Sequence, residues 1–286
     1  MLRGLYTGAA GMVVQQERLD AMANNLANVD TTGYKRDTPI QKAFPELLIR
    51  RMSDDGVTQL PLRSFPFGSY DVAPVVGKIG TGVETNEFFT VFSQGGLRQT
   101  DNAFDIALDG RGFFVVETPY GERYTRNGSF LIGPEGLLVT KEGYPVLGEQ
   151  GHIRLKLNNF IVDEDGVVFE NDRFADDPRR LVSMRENEWD DTVEVDRLRI
   201  VDMRNTRYIR KQGSSFWNTT EESGPAVTME TGRPKVRQGF LEGSNVNAIT
   251  EMVGLIEVNR AYEANQKSIQ AHDQMVGRLI NEAIKL

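Results

Sequence analysis

The sequence predicts an α+β protein, with long N- and C-terminal helices forming a coiled-coil core and an all-β domain inserted between them. Three observations carry this. Apolar residues recur every seven positions near both termini, short apolar runs separated by turn residues fill the middle, and Pro and Gly punctuate the stretch between the first helix and those runs. At 286 residues the chain has room for one large or two ordinary domains.

The N-terminal stripe is Leu5, Ala9, Met12, Gln16, Leu19, Ala23 and Leu26, apolar except for Gln16. It predicts a helix over about 3–28, roughly 38 Å long. Asp30-Thr31-Thr32-Gly33 ends it, with Gly33 suited to positive φ. Residues 1–36 are read as the N-terminal core helix and its stop, and 37–97 as an extended connector. Within the connector, 50–82 carries Pro61, Pro66, Pro74 and five Gly, and 79–92 is a candidate β region.

Residues 98–235 are read as the β-rich outer domain. Gly112 to Glu117 and Arg123 to Arg126 are short strands joined by a turn at Pro119-Tyr120-Gly121. Asn127-Gly128 is a strong hairpin signal leading into Ser129 to Ile132. Further strands are expected at 137–140, 145–148, 160–162, 166–169 and, as one run, 193–201.

Residues 236–286 are read as the C-terminal core helix, with Leu255, Tyr262, Ile269, Val276 and Ala283 spaced by seven. Asn247 is a better N-cap than Ser244, which lacks an acidic residue three positions on. The helix is expected over about 248–285, roughly 57 Å. Neither stripe can bury itself alone. The helices pack on each other within one subunit, or on neighbouring subunits as well. The polar stripe members Gln16, Asn259, Gln266 and Asp273 favour register specificity.

Composition removes most site chemistry. With no Cys there are no disulfides, thiolate nucleophiles, Cys-ligated zinc or iron–sulfur clusters, and two His are too few for most histidine metal sites. No P-loop, HExxH or GxSxG occurs. Gly110-Arg111-Gly112 is a turn, and Asp163-Glu164-Asp165-Gly166 lacks the later ligands of a calcium loop and reads as a hairpin turn. His272 beside Asp273 reads as a solvated or interface histidine. No catalytic, cofactor-binding or metal residue is assigned, and the chain is not expected to be an enzyme. A net charge of −8 speaks against nucleic acid as a partner. No apolar run is long enough to span a membrane. Leu5 to Val14 is too interrupted for a cleaved signal peptide.

Certain residues go beyond periodicity. The first segment reads Leu5-Tyr6-Thr7-Gly8-Ala9-Ala10-Gly11-Met12, then Ala23-Asn24-Asn25-Leu26-Ala27-Asn28-Val29 and Thr31-Thr32-Gly33-Tyr34-Lys35-Arg36. It resembles the N-terminal signature of bacterial flagellar rod and hook proteins. The middle is similar to that family through Gly112 to Val116, Tyr124 to Phe130 and Gly143 to Gly148. The C-terminal part is similar through Gly239 to Asn247, Glu251-Met252-Val253 and Asn259 to Lys267. Hook proteins are usually longer, so the rod fits better. The Arg260 to Lys267 run with Ile280 to Ala283 resembles proximal more than distal rod components.

The resemblance implies a structural subunit of the flagellar basal-body rod, exported without a cleaved signal through the flagellar type III apparatus. It would polymerise into the periplasmic drive shaft with itself and other axial subunits. The assembly seam would use Leu5, Met12, Leu19, Leu26, Leu255, Tyr262, Ile269 and Val276. Asn24, Asn25 and Asn28 would either cap the helix or bond a neighbour's backbone. The alternatives are a distal-rod or hook-type subunit, an enzyme or ligand-binding β domain with helical oligomerisation arms, and a secreted fibre.

The acidity is local. Residues 163–196 hold 13 Asp and Glu against 4 Arg, a net of −9, which leaves the rest of the chain at +1. This stretch reads as a solvated loop or as a contact face for an outer partner such as a ring or collar component.

Overall fold

The computed structural model describes residues 2–50, 75–80, 82–155, 160–171, 192–213, 215–229 and 232–283. The protein is α+β. Helix α1 spans Leu2–Ala27 and helix α2 spans Ala248–Ala283, with all the strands between them. α2 starts where expected because Asn247 Oδ1 accepts the free N–H groups of Ile249 at 3.0 Å and Thr250 at 3.3 Å. α1 ends at the expected stop, where Gly33 takes φ +68°. Most of the Pro- and Gly-rich connector, 51–74, lies outside the described residues.

The chain forms two compact units. The first comprises Met1–Met22, Thr38–Phe88 and Val253–Leu286, and the second Ala23–Asp37 and Phe89–Met252.

In the first unit α1 runs antiparallel to α2, because successive glycines on α1 meet residues that step backwards along α2. A Cβ at Gly4 would stand 2.7 Å from His272 Nε2, one at Gly8 2.9 Å from Ile269 Cγ1, and one at Gly11 3.0 Å from Asn265 Nδ2. From the other side, a Cβ at Gly254 would stand 3.0 Å from Met22 Cε. Each helical glycine sacrifices about 1 kcal/mol of helix propensity, and the close approach of the two backbones is what it makes possible. Val14, Ala21 and Val258 are buried here. Strand Leu47–Arg50 pairs antiparallel with Val75–Ile79, and Asp37–Ala43 pairs with Val83–Thr90.

The second unit is built on a six-stranded sheet in the order Arg210–Gln212, Phe216–Asn218, Gly121–Thr125, Phe113–Thr118, Ile200–Met203 and Ala226–Thr228. Its central strand is buried on both faces, which explains its unbroken apolar run. Phe114 and Val116 join one hydrophobic cluster with Phe130, Leu138 and Ile153. Phe113 and Val115 join another with Trp217 and Val201. The turn at Pro119-Tyr120 forms as expected, with Thr118 opposite Gly121.

Two local expectations are corrected. Asn127-Gly128 is not a hairpin turn: Gly121–Thr125 pairs with Phe113–Thr118 and Phe216–Asn218, while Phe130–Ile132 pairs with Leu138–Thr140 in another sheet. Gly128 is needed instead for close approach, since a Cβ there would collide with the Ile106 carbonyl, and Ile106 N–H donates to Gly128 O at 2.9 Å. The run 193–201 is two strands, Thr192–Arg197 and Ile200–Met203, which belong to different sheets and separate at Leu198-Arg199.

Candidate functional site

The residues just after α1 fold back on that helix's last turn and on the segment that leads into α2. Tyr34 is the pivot, 1% exposed. Its hydroxyl donates toward Asn24 Oδ1 at 3.0 Å and Asn25 Oδ1 at 3.1 Å. Burial, reinforced by the charges of Asp37 and Glu251, pushes its pKa well above the ordinary 10.0. Asn25 holds the Asp37 backbone at both groups: its Nδ2 donates to Asp37 O at 2.9 Å, and its Oδ1 accepts Asp37 N–H at 2.9 Å. Lys211 Nζ stands 4.0 Å from the centre of the Tyr34 ring and 3.0 Å from Asp37 Oδ2.

Next to Tyr34 lies a buried ionic cluster. Lys35 Nζ donates to Glu242 Oε1 at 2.6 Å, with both side chains 1% exposed, and to the Ser93 carbonyl at 2.8 Å. Glu242 Oε1 also accepts Gly95 N–H at 2.9 Å, and its Oε2 lies 3.4 Å from Arg126 Nη1. Burial lowers the pKa of Lys35 and of Arg126, and the Glu242 charge opposes that shift in both. Main-chain bonds complete the clasp. Gly33 N–H donates to Glu242 O at 2.8 Å, Arg36 N–H to Asn245 Oδ1 at 2.8 Å, and Asn245 Nδ2 to Val91 O at 2.7 Å. A Cβ at Gly33 would stand 2.6 Å from the Arg126 and Asn127 backbone, so the turn fits only with glycine.

The expected assembly residues divide between this clasp and the helices. Asn24 is exposed, Asn25 buried and Asn28 half-buried. Asn28 Nδ2 caps α1 by donating to Asn24 O at 2.8 Å. Both amide groups of Asn25 are spent within the chain. Leu26 is half-buried, as are Leu5, Met12 and Leu19 on α1 and Leu255, Tyr262, Ile269 and Val276 on α2. Of these, Ile269 lies against Gly8. Leu5, Met12 and Leu19 stand one residue past the glycine face, about 100° round the helix. Sequence reasoning passed over Lys35, Arg126 and Glu242 as a set. The available signal was their opposite charge inside otherwise apolar or turn-forming motifs.

Helices at both chain ends with half-buried apolar stripes, and a buried clasp that ties the residues after α1 to the segment leading into α2, are the features of a structural subunit rather than of a catalytic site. The comparisons with known proteins agree. Residues 5–35 match the family model "Flagella basal body rod protein", 107–170 match "Flagellar hook protein FlgE/F/G D1 domain", and 237–282 match "Flagellar basal body rod FlgEFG protein C-terminal". The flagellar basal-body rod protein FlgG of Buchnera aphidicola subsp. Schizaphis graminum is 32% identical over 285 residues, 98% of this chain and 99% of that protein. The flagellar basal-body rod protein FlgF of Caulobacter vibrioides is 32% identical, covering 93% of this chain and 92% of that protein. The flagellar hook-basal body complex protein FlhO of Bacillus subtilis is 31% identical over the whole of both. The chain belongs to the flagellar basal-body rod protein family and is a structural subunit of that rod. Each of the three matched segments supplies one member of the buried cluster: Lys35, Arg126 and Glu242.

Proposed function

We propose that the chain is a proximal-type rod subunit that transmits torque as a stiff element and performs no catalysis. It reaches the periplasm through the flagellar export apparatus. There α1 and α2 enter a coiled-coil core with other axial subunits, and the β-rich unit faces outward, toward ring or collar components. The seam between subunits is formed by Leu5, Met12, Leu19 and Leu26 with Leu255, Tyr262, Ile269 and Val276.

One observation carries this reading. α2 leaves Ile249, Met252, Val253, Ile256, Met275, Leu279 and Ile280 exposed, with Ile249 at 75%. A helix of 36 residues with that much apolar surface needs a partner. No described helix is long and apolar enough to cross a membrane. A non-closing tube supplies that partner through head-to-tail contacts. The absence of Cys suits a subunit exported unfolded into an oxidising compartment. Cryo-electron microscopy of purified basal bodies tests the proposal. The expected result is density for both helices on the inner wall of the proximal rod. Density at the hook, or helices on the outer wall, would overturn it.

A further inference from the structure

A cleft of about 570 Å³ opens in the β-rich unit beside the clasp. Phe92 and Phe113 form an apolar wall, and Arg111, Arg126 and Arg204 bring three guanidinium groups to it against one carboxylate, Asp202. Arg126 is 6% exposed, lies over the Phe113 ring at 5.3 Å, and has an Nε–H with no acceptor. Among the described residues its one ion pair, to Glu242, is long at 3.4 Å. Arg111 and Arg204 are exposed at the cleft, and among the described residues neither forms an ion pair or hydrogen bond. Asp202 is engaged locally, accepting Met203 N–H at 2.8 Å. The cleft thus presents two exposed guanidinium groups, Arg111 and Arg204, with no partner among the described residues, against a carboxylate already engaged locally, and such a positive cleft suits an acidic ligand. Carboxylates are the side chains that guanidinium forks match best, and the aromatic wall favours one with an apolar neighbour.

We propose that this cleft seats an acidic segment, bearing an apolar side chain, from a second copy of this chain. The proposal rests on the rod reading, because an assembly that extends without closing must join two different patches of the same molecule. The chain carries both. Its acidity is confined to 163–196, at −9 against +1 elsewhere, and that stretch includes Glu188-Trp189-Asp190-Asp191 in sequence. Of its described members, Asp163, Glu164, Asp165 and Glu194 are exposed. The basic counterpart of the acidic stretch is then on the subunit itself.

The test titrates a synthetic peptide of residues 186–194 into the full-length protein. Saturable binding is expected. It should weaken tenfold or more in Arg111→Gln/Arg204→Gln, a pair of exposed residues outside the clasp whose variant keeps the wild-type circular dichroism. Binding should also weaken with added salt. Three results would overturn the proposal: no binding to wild type, equal binding to the variant, or equal binding of a peptide with Gln and Asn in place of Glu and Asp. Binding of acetate or phosphate with no preference for the peptide would also overturn it, marking a small-anion site instead. Complementation of a non-motile deletion strain separates this from the rod reading. If the wild-type gene fails to restore swimming, the rod reading fails. If wild type and Arg111→Glu/Arg204→Glu restore it equally, the cleft assignment fails alone.

Discussion

Lys35 and Glu242 are 207 positions apart in sequence and 2.6 Å apart in space, both away from water. Desolvating two charges offsets most of their attraction, so such a pair adds little net stability while intact. Removing one partner strands the other, at a cost of about 3–5 kcal/mol. Lys35→Met should therefore lower the urea midpoint strongly. The double variant Lys35→Met/Glu242→Gln should lose clearly less than the sum of the two single losses, with a coupling of about 1–3 kcal/mol. Additive losses would mean that the pair does not act as a unit. Tyr34 gives a pH signature. Its folded pKa lies above the unfolded value of 10.0. As pH rises past 10 the unfolded chain loses this proton and the folded chain keeps it. The stability from Tyr34 is thus full below pH 10 and is lost as pH climbs through the folded pKa. Lys35 works the other way, since its folded pKa is depressed. Comparing wild type with Tyr34→Phe isolates the tyrosine. The variant should lose about 1 kcal/mol at neutral pH and show a shallower fall in melting temperature above pH 10. Parallel alkaline profiles would exclude Tyr34 as the source. These residues stood inside recognisable motifs, yet their pairing was not legible. Charge and burial are properties of the folded surroundings, and nothing in local spacing brings 35 to 242.

Elements were legible where one period dominates. The seven-residue stripes located α1 and α2 to within about two residues, and the cap at Asn247 followed from its side-chain chemistry. Orientation round the helix was not legible. The leucines of α1 mark its most apolar stripe, but the face that meets α2 is the glycine face, where the small residue admits the neighbouring backbone. The signals at Asn127-Gly128 and at 193–201 misled for a related reason: a tertiary contact at Gly128 and a change of sheet at Leu198-Arg199 override local propensity. The glycine face can be tested directly. Gly8→Val places two methyl groups on a Cβ that would already stand 2.9 Å from Ile269 Cγ1. It should separate the helices and speed hydrogen exchange over both α1 and α2, despite the better helix propensity of Val. Unchanged exchange would mean that the interhelical contact is not what holds α1 in place.

At the scale of the molecule, the two compact units divide the labour, and that division can be measured. The β-rich unit has its own core around Phe114 and Trp217, each 0% exposed, together with the clasp. The helical unit has few fully buried residues and a long exposed apolar face on α2. Regions with few buried contacts open most readily, and their missing contacts are what assembly would supply. Two consequences follow from this imbalance. In the isolated subunit, amides of 5–22 and 255–283 should exchange much faster than those of Phe113–Thr118, and on incorporation into filaments the helices should gain protection while the central strand changes little. Equal, strong protection of the helices in both states would exclude ordering on assembly. The half-buried Leu19 then separates folding from assembly. Leu19→Asp places a charge on the proposed seam, outside the clasp and off the glycine face. It should abolish rod assembly and swimming while the melting of the β-rich unit, followed by near-ultraviolet circular dichroism, stays within about 1 kcal/mol of wild type. Normal swimming by this variant would remove the leucine stripe from the seam. Loss of the β-rich unit's melting transition would show that the stripe serves the fold of the subunit rather than its assembly.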